Sequence, residues 1–182
     1  LYYLGVRRGE ALGLKWGDFD FTVDQVHIQR DIDFTGSTAA DGTLKTEAAD
    51  RFVPIPADLK VMLLPKRESA DAYVFHTPSG APLPQASYKR MWSRLMVACG
   101  CVEWREIAPG TSRPDDILKQ VKPTLTPHYF RHNYVTLLYE SGVDPLIAMK
   151  IVGHTDYQTT ANIYTHLKEE TLRRASVNME KV

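Results

Sequence analysis

Cysteine is almost missing from this 182-residue chain: its two cysteines, Cys99 and Cys101, are separated by one residue. A bridge across so small a ring is strained, so two free thiols are expected, and free thiols suit a reducing compartment. Apolar runs near the roughly 18 residues that a membrane span needs are missing too, and no stretch reads as a signal peptide. A cytoplasmic protein with no membrane part is the expectation. Net charge is also absent, 22 Lys and Arg balancing 22 Asp and Glu. That argues against a uniformly basic nucleic-acid binder and leaves room for a local basic face. Finally, no acidic cluster is placed to hold Mg²⁺, and no Glu lies beside the histidines as a hydrolytic zinc site requires. No metal and no cofactor are expected.

What is present is ordinary globular composition, 43% apolar and 24% charged, in a chain long enough to bury one core. The first four residues, Leu1-Tyr2-Tyr3-Leu4, form an apolar run with neither an initiator Met nor a cap, and read as the middle of a helix. A piece of a longer protein is therefore expected, with residues 1–182 as one domain. A short helical pattern follows, with Ala11, Leu12 and Leu14 apolar and Arg7 and Glu10 as i, i+3 neighbours. Residues 19–30 alternate like strands around a turn at Asp24-Gln25. Residues 31–56 read as a β-hairpin, with turn signals at Thr35-Gly36 and Asp41-Gly42, Lys45 near a strand, and Arg51 to Ile55 resuming it. Helices are expected at 57–68, broken at Pro65, and from Ser87, with a short strand at 73–75 between them. Residues 99–123 form a Pro- and Gly-rich connection with no clear period. The fold class is mixed α+β, mainly α-helical with a small antiparallel β-sheet or hairpin.

The most informative stretch is 126–166, which reads as three short helices. Thr126-Pro127 and Asp144-Pro145 are start signals, a capping residue followed by proline at the first helical position. Gly153 is placed to end the second helix in the left-handed conformation. His128 and Arg131, at i and i+3, share a face, while His154 falls just beyond a helix end and Tyr164 lies about a turn inside the third helix. Arg7, Lys45, His128, Arg131, His154 and Tyr164 thus make five actual or potential cations and one phenol. Arginine forks suit a phosphate carrying extra negative charge. A phenol of pKa near 10 costs about 4 kcal/mol to ionise at pH 7. Neighbouring cations lower that cost and stabilise a developing phosphorane. The set is self-consistent for metal-free attack of a tyrosine on a phosphodiester.

In this order GVRRGEALGLKW, LKT, TPHYFRH and VGHTDYQTTANIYTH resemble the tyrosine recombinases of the phage-integrase family, in particular the integrases of transposons and integrative elements, over nearly the whole chain. Each motif is weak alone; together, with Tyr164 ten residues after His154, they are specific. The resemblance implies the C-terminal catalytic domain, with an N-terminal DNA-binding portion elsewhere. It implies Arg7, Arg131 and His154 on the non-bridging phosphate oxygens and Lys45 protonating the leaving 5′-oxygen. It further implies His128 assisting proton transfer, Glu10 in support, and Tyr164 forming a 3′-phosphotyrosyl link. Double-stranded DNA recombination sites, self-association as a tetramer on DNA, accessory DNA-bending or directionality factors, and a bacterial, nucleoid-associated location follow as expectations. Tyr157 is the rival nucleophile; Tyr134 and Tyr139 read as core, and His132 as packing. The tail from Leu167 reads as a short amphipathic helix for a neighbouring protomer. A type IB topoisomerase-like enzyme, an inactive DNA-binding module and a metal-dependent nuclease are the alternatives.

Overall fold

A computed structural model of the chain describes residues 1–35, 38–42, 44, 46–104, 118 and 120–179. The first four residues make a single helical turn, Gly5 N–H donating to the Leu1 carbonyl at 2.9 Å. Gly5 then leaves it with φ +59°, and an added Cβ would lie 2.1 Å from the Tyr134 ring, so only glycine fits there. Helix α1 (Arg8–Gly13) starts immediately after Arg7. Short as it is, it is buried on two sides. Ala11 packs with Val6, Val26, Ile28 and Val53 in one cluster, and Leu12 with Ile32, Tyr88, Trp92 and Met96 in another.

Strands β1 (Phe19–Asp20), β2 (Gln25–Ile28) and β5 (Arg51–Pro54) form an antiparallel sheet in that order. Val26 faces Val53, and Ile28 faces Arg51. Strands β3 (Asp31–Thr35) and β4 (Thr38–Gly42) form a separate hairpin, with Asp31 opposite Gly42. The expected 31–56 hairpin is therefore two things. Asp41-Gly42 lies on a strand rather than in a turn, and residues 51–54 pair with β2. A turn dipeptide bends the chain locally but does not choose a distant partner. Residues 73–75 contribute only an isolated bridge, Lys15 to Tyr73, instead of a strand.

Helix α2 (Ala57–Leu63) passes into a 3₁₀ turn at Pro65, as expected of a proline. Helix α3 (Gln85–Ala98) begins two residues before Ser87 and buries Tyr88, Trp92 and Met96. The connection at 99–123 is not patternless at its ends: β6 (Val102–Trp104) and β7 (Val121–Pro123) pair antiparallel. Residues 105–117 and 119 lie outside the described residues.

The last three helices are α4 (Pro127–Glu140), α5 (Pro145–Val152) and α6 (Tyr157–Met179). Asp144 caps α5 through its carboxylate, which accepts from Leu146 N–H at 2.8 Å, and Gly153 ends it at φ +74°. Helices α4, α5 and α6 pack on one another around Val135, Leu138, Ala148 and Val152. Among the described residues, no helix is long and apolar enough to cross a membrane. The fold class is as expected, mainly helical with small antiparallel sheets.

Candidate active site

The site is assembled around one carboxylate. Glu10, only 1% exposed, sits three residues into the chain from Arg7, so a single helical turn brings its side chain back over the start of α1. Glu10 Oε2 accepts from the Arg7 backbone N–H at 2.7 Å, and Oε1 accepts from Arg7 Nη1 at 2.7 Å. This is the reciprocal half of a capping box, with the arginine as the residue being capped. Arg51 reaches the same carboxylate from β5, Nη2 donating to Oε2 at 2.9 Å and Nη1 to Oε1 at 3.2 Å. Four donors fill the lone-pair positions that a carboxylate offers. Arg131 Nη1 stands 3.9 Å from Oε2. Burial pushes the Glu10 carboxyl upward, but the bonds and charges of Arg51 and Arg7 outweigh it and hold the pKa below the usual carboxylate value.

Three arginines therefore face one carboxylate, leaving positive charge in surplus. Arg131 projects from the first turns of α4 and is 3% exposed. Its Nη1 donates to the Gly5 carbonyl at 3.0 Å, while its Nη2 is buried with no hydrogen-bond partner. A buried donor left bare costs about 1–3 kcal/mol, and more when it is charged. Its pKa is pushed down to about 9, by burial first and then by Arg7, with Glu10 acting in the opposite direction; it stays charged at neutral pH. Arg7 keeps 43% of its side chain exposed and donates through Nη2 to the Gly153 carbonyl at 3.2 Å. Arg7, Arg131, His128, Arg8 and Thr126 line one cleft of about 350 Å³, together with Asp31 and Asp33 of β3. His128 is exposed at the start of α4, on the face it shares with Arg131.

His154 follows Gly153 directly, and its Nδ1 shares a 2.9 Å hydrogen bond with the hydroxyl of the fully buried Thr160. Burial, then the charges of Arg131, Arg7, Arg51 and His128, push its pKa down to about 4. It is neutral at pH 7. When the Thr160 hydroxyl donates to Nδ1, the ring proton resides on Nε2, free to donate to an anion.

Tyr164 is not in this group. It lies two turns inside α6, 8% exposed, in the core of α4–α6. Its hydroxyl donates to the Val143 carbonyl at 3.1 Å, and its ring meets Tyr139 edge-on at 5.1 Å. Burial, and then the Asp144 carboxylate, raise its pKa above the ordinary phenol value. In this pose the phenol is a hydrogen-bonded core residue. Tyr157, by contrast, is exposed at the first position of α6. Tyr134 is core, as expected. The tail is no separate short helix: α6 runs unbroken through Tyr164 to Met179. Lys45 lies outside the described residues, between β4 and the 3₁₀ turn that starts at Glu47.

Arg7, Glu10 and Arg131 thus converge, with His154 beside them and His128 on the shared cleft. Two residues of the cluster were not singled out by sequence. Arg51 had a signal, since it alternates with Val53 on the inward face of β5 and with the buried Ile55 just beyond it; an arginine in that register is a buried one. Thr160 had none beyond being polar.

The phage integrase family model matches residues 1–171. The chain is 29% identical to a "Tyrosine recombinase XerC-like" protein of Caldanaerobacter subterraneus over 188 residues, covering 90% of this chain and 43% of that protein. It is 28% identical to the integrase of Staphylococcus phage L54a, covering 98% of this chain and 49% of the other. It spans about half the length of these relatives or less. Among solved structures, the Tn1549 transposon integrase in complex with transposon right end DNA superposes with a TM-score of 0.67 at 23% identity, over 100% of this chain and 56% of that one. That likeness concerns the fold, which is that of a tyrosine recombinase catalytic region.

Proposed function

The chain belongs to the phage integrase family, and we propose that it carries the strand-cleaving and rejoining site of a site-specific DNA recombinase, with Tyr164 as nucleophile. The observation that carries this reading is the surplus of positive charge at one open cleft, which Arg7, Arg131 and His128 line, with three arginines around a single carboxylate and Arg131 Nη2 left without a partner. Such a donor is satisfied by an anion that arrives from outside, and a DNA phosphate has the shape for a guanidinium fork.

A phosphodiester seated there accepts from Arg131 Nη2, from the remaining N–H groups of the 43%-exposed Arg7 side chain and from His154 Nε2. Tyr164, released from the Val143 carbonyl, gives up its phenolic proton to His128 as its oxygen bonds to phosphorus. The bond to the 5′-oxygen breaks, and Lys45 protonates that oxygen to a free hydroxyl. The 3′-phosphotyrosyl link conserves the energy of the phosphodiester, so a second 5′-hydroxyl reverses the steps without ATP or metal. The cations stabilise the phosphorane more than the ground-state diester, because charge develops between them. The arriving phosphate also opposes the charges that hold His154 neutral, raising its pKa.

The partners proposed are double-stranded recombination sites, further copies of the protein in a tetramer on DNA, and accessory DNA-bending or directionality factors. Residues 1–182 are proposed as one catalytic domain of a longer protein that acts in the cytoplasm on the nucleoid. Incubation with DNA nicked beside the scissile phosphate tests the chemistry, because the short 5′ fragment diffuses away and traps the link. A covalent adduct that forms in EDTA and disappears in Tyr164→Phe is expected. An adduct that requires a divalent metal, or that persists in Tyr164→Phe, refutes it.

A further inference from the structure

We propose that Arg51 is a positioning residue of this site. It binds no phosphate, but its guanidinium fixes Glu10, and through Glu10 Arg7, against the helix end that presents His154. The inference rests on the cleavage function proposed above. Arg51 has 5% of its side chain exposed, and every donor atom is occupied from within. Nε donates to the Ile151 carbonyl at 2.8 Å, Nη1 to the Ala49 carbonyl at 2.8 Å and to Glu10 Oε1 at 3.2 Å, and Nη2 to Glu10 Oε2 at 2.9 Å. One planar group thus ties together three segments distant in sequence: α1, the turn before β5, and the end of α5. This pattern contrasts with that of Arg131, which keeps one donor bare, and of Arg7, whose side chain is 43% exposed.

Gly153 completes the arrangement. A Cβ there would lie 2.9 Å from Arg51 Cζ and Nη1 and from the Ala48 carbonyl, so the guanidinium lies directly against the residue that precedes His154. On its other side the Gly153 carbonyl accepts from Arg7 Nη2 at 3.2 Å. Two arginines grip one residue, and both are held by one carboxylate. The Arg51–Glu10 pair also neutralises itself, leaving the charges of Arg7 and Arg131 for the anion. A lysine supplies the charge but cannot bridge Glu10, Ala49 and Ile151 in one plane.

The test compares wild type and Arg51→Lys by thermal melting, by DNA affinity in fluorescence anisotropy, and by single-turnover cleavage of the nicked DNA. Expected are a retained cooperative transition, unchanged DNA affinity, and cleavage slower by about a hundredfold, the loss that a misplacement of reacting groups by about 1 Å produces. In a Glu10→Gln background the same substitution is expected to cost much less, because the two residues act as a unit. Wild-type cleavage by Arg51→Lys, an affinity that falls in step with the rate, or losses that simply multiply with Glu10→Gln would each overturn the proposal. If Arg51→Lys loses its cooperative transition, Arg51→Gln takes its place in the comparison; if both do, Arg51 is a folding residue only and the proposal fails. An adduct missing from the wild type as well would sink the cleavage reading itself, and this inference with it.

Discussion

Arg7 and Arg131 reach the same carboxylate from opposite ends of the chain, yet the structure separates what each does. Arg131 is buried and its Nη1 satisfies the Gly5 carbonyl, so Arg131→Ala leaves that acceptor unpaired and a void in the side chain's place, while it relieves the unpartnered Nη2. A loss of about 1–3 kcal/mol is expected in denaturant unfolding, together with loss of cleavage. Arg7 is far more exposed, so water can take its place at the Gly153 carbonyl, and Glu10 keeps Arg51 and the backbone N–H of residue 7; Arg7→Ala is expected to cost less stability than Arg131→Ala while cleavage collapses. Equal destabilisation by the two would contradict this division.

The pH dependence at the residue scale has a definite sign. Glu10 has a folded pKa below its unfolded value, so its contribution is present above the ordinary carboxylate pKa and is lost as the pH falls through the folded value. His154 falls from 6.5 to about 4 on folding, so between these values the unfolded chain binds the extra proton and stability decreases as the pH drops. The melting temperature is expected to decline across that window, with His154→Gln flattening the slope. NMR titration of His154 should also show its pKa rising on addition of a phosphate mimic such as vanadate. The sequence grouped Arg7, Lys45, His128, Arg131, His154 and Tyr164; the structure brings Arg7, His128, Arg131 and His154 near one another and leaves Tyr164 apart. Sequence spacing did not disclose the bare donor on Arg131 or the depressed His154, which arise from burial and long-range charge.

At the scale of elements, helix punctuation was legible because it is local. Thr126-Pro127, Asp144-Pro145 and Gly153 act through the backbone of their own turn. Strand pairing was not, because β5 finds β2 across more than twenty intervening residues, past a complete hairpin. Alternation with Val53 marks Arg51 as inward-facing, but its carboxylate partner Glu10 lies 41 residues away and has no local signal. The extent of α6 was also missed, although no Gly or Pro interrupts the sequence from Tyr157 to Met179. Gly153 is the element-scale test. Its φ of +74° and its closeness to Ala48 and Arg51 leave no room for a side chain. Gly153→Ala is expected to lower stability by about 1–3 kcal/mol in denaturant unfolding, with a simultaneous loss of cleavage. An unchanged unfolding midpoint would show that α5 ends differently in solution.

For the whole molecule, a zero formal net charge coexists with a cationic cluster because burial concentrates three arginines around one carboxylate. The proposed nucleophile is the part still to be brought to that cluster. Tyr164 rests in the α4–α6 core on the Val143 carbonyl, and Tyr157 stands exposed at the head of the same helix. Catalysis by Tyr164 therefore requires its phenol to leave the Val143 carbonyl and that core. Accessibility alone favours Tyr157, whereas the family pattern favours Tyr164, and the two are resolved by locating the covalent bond. Protein trapped on nicked DNA in EDTA is digested with protease and nuclease, and the residue bearing the remaining nucleotide is identified by fragment-ion mass spectrometry. The nucleotide on Tyr164, unaffected by Tyr157→Phe, is the result predicted; a nucleotide on Tyr157, or an adduct that forms only with added metal, contradicts the account.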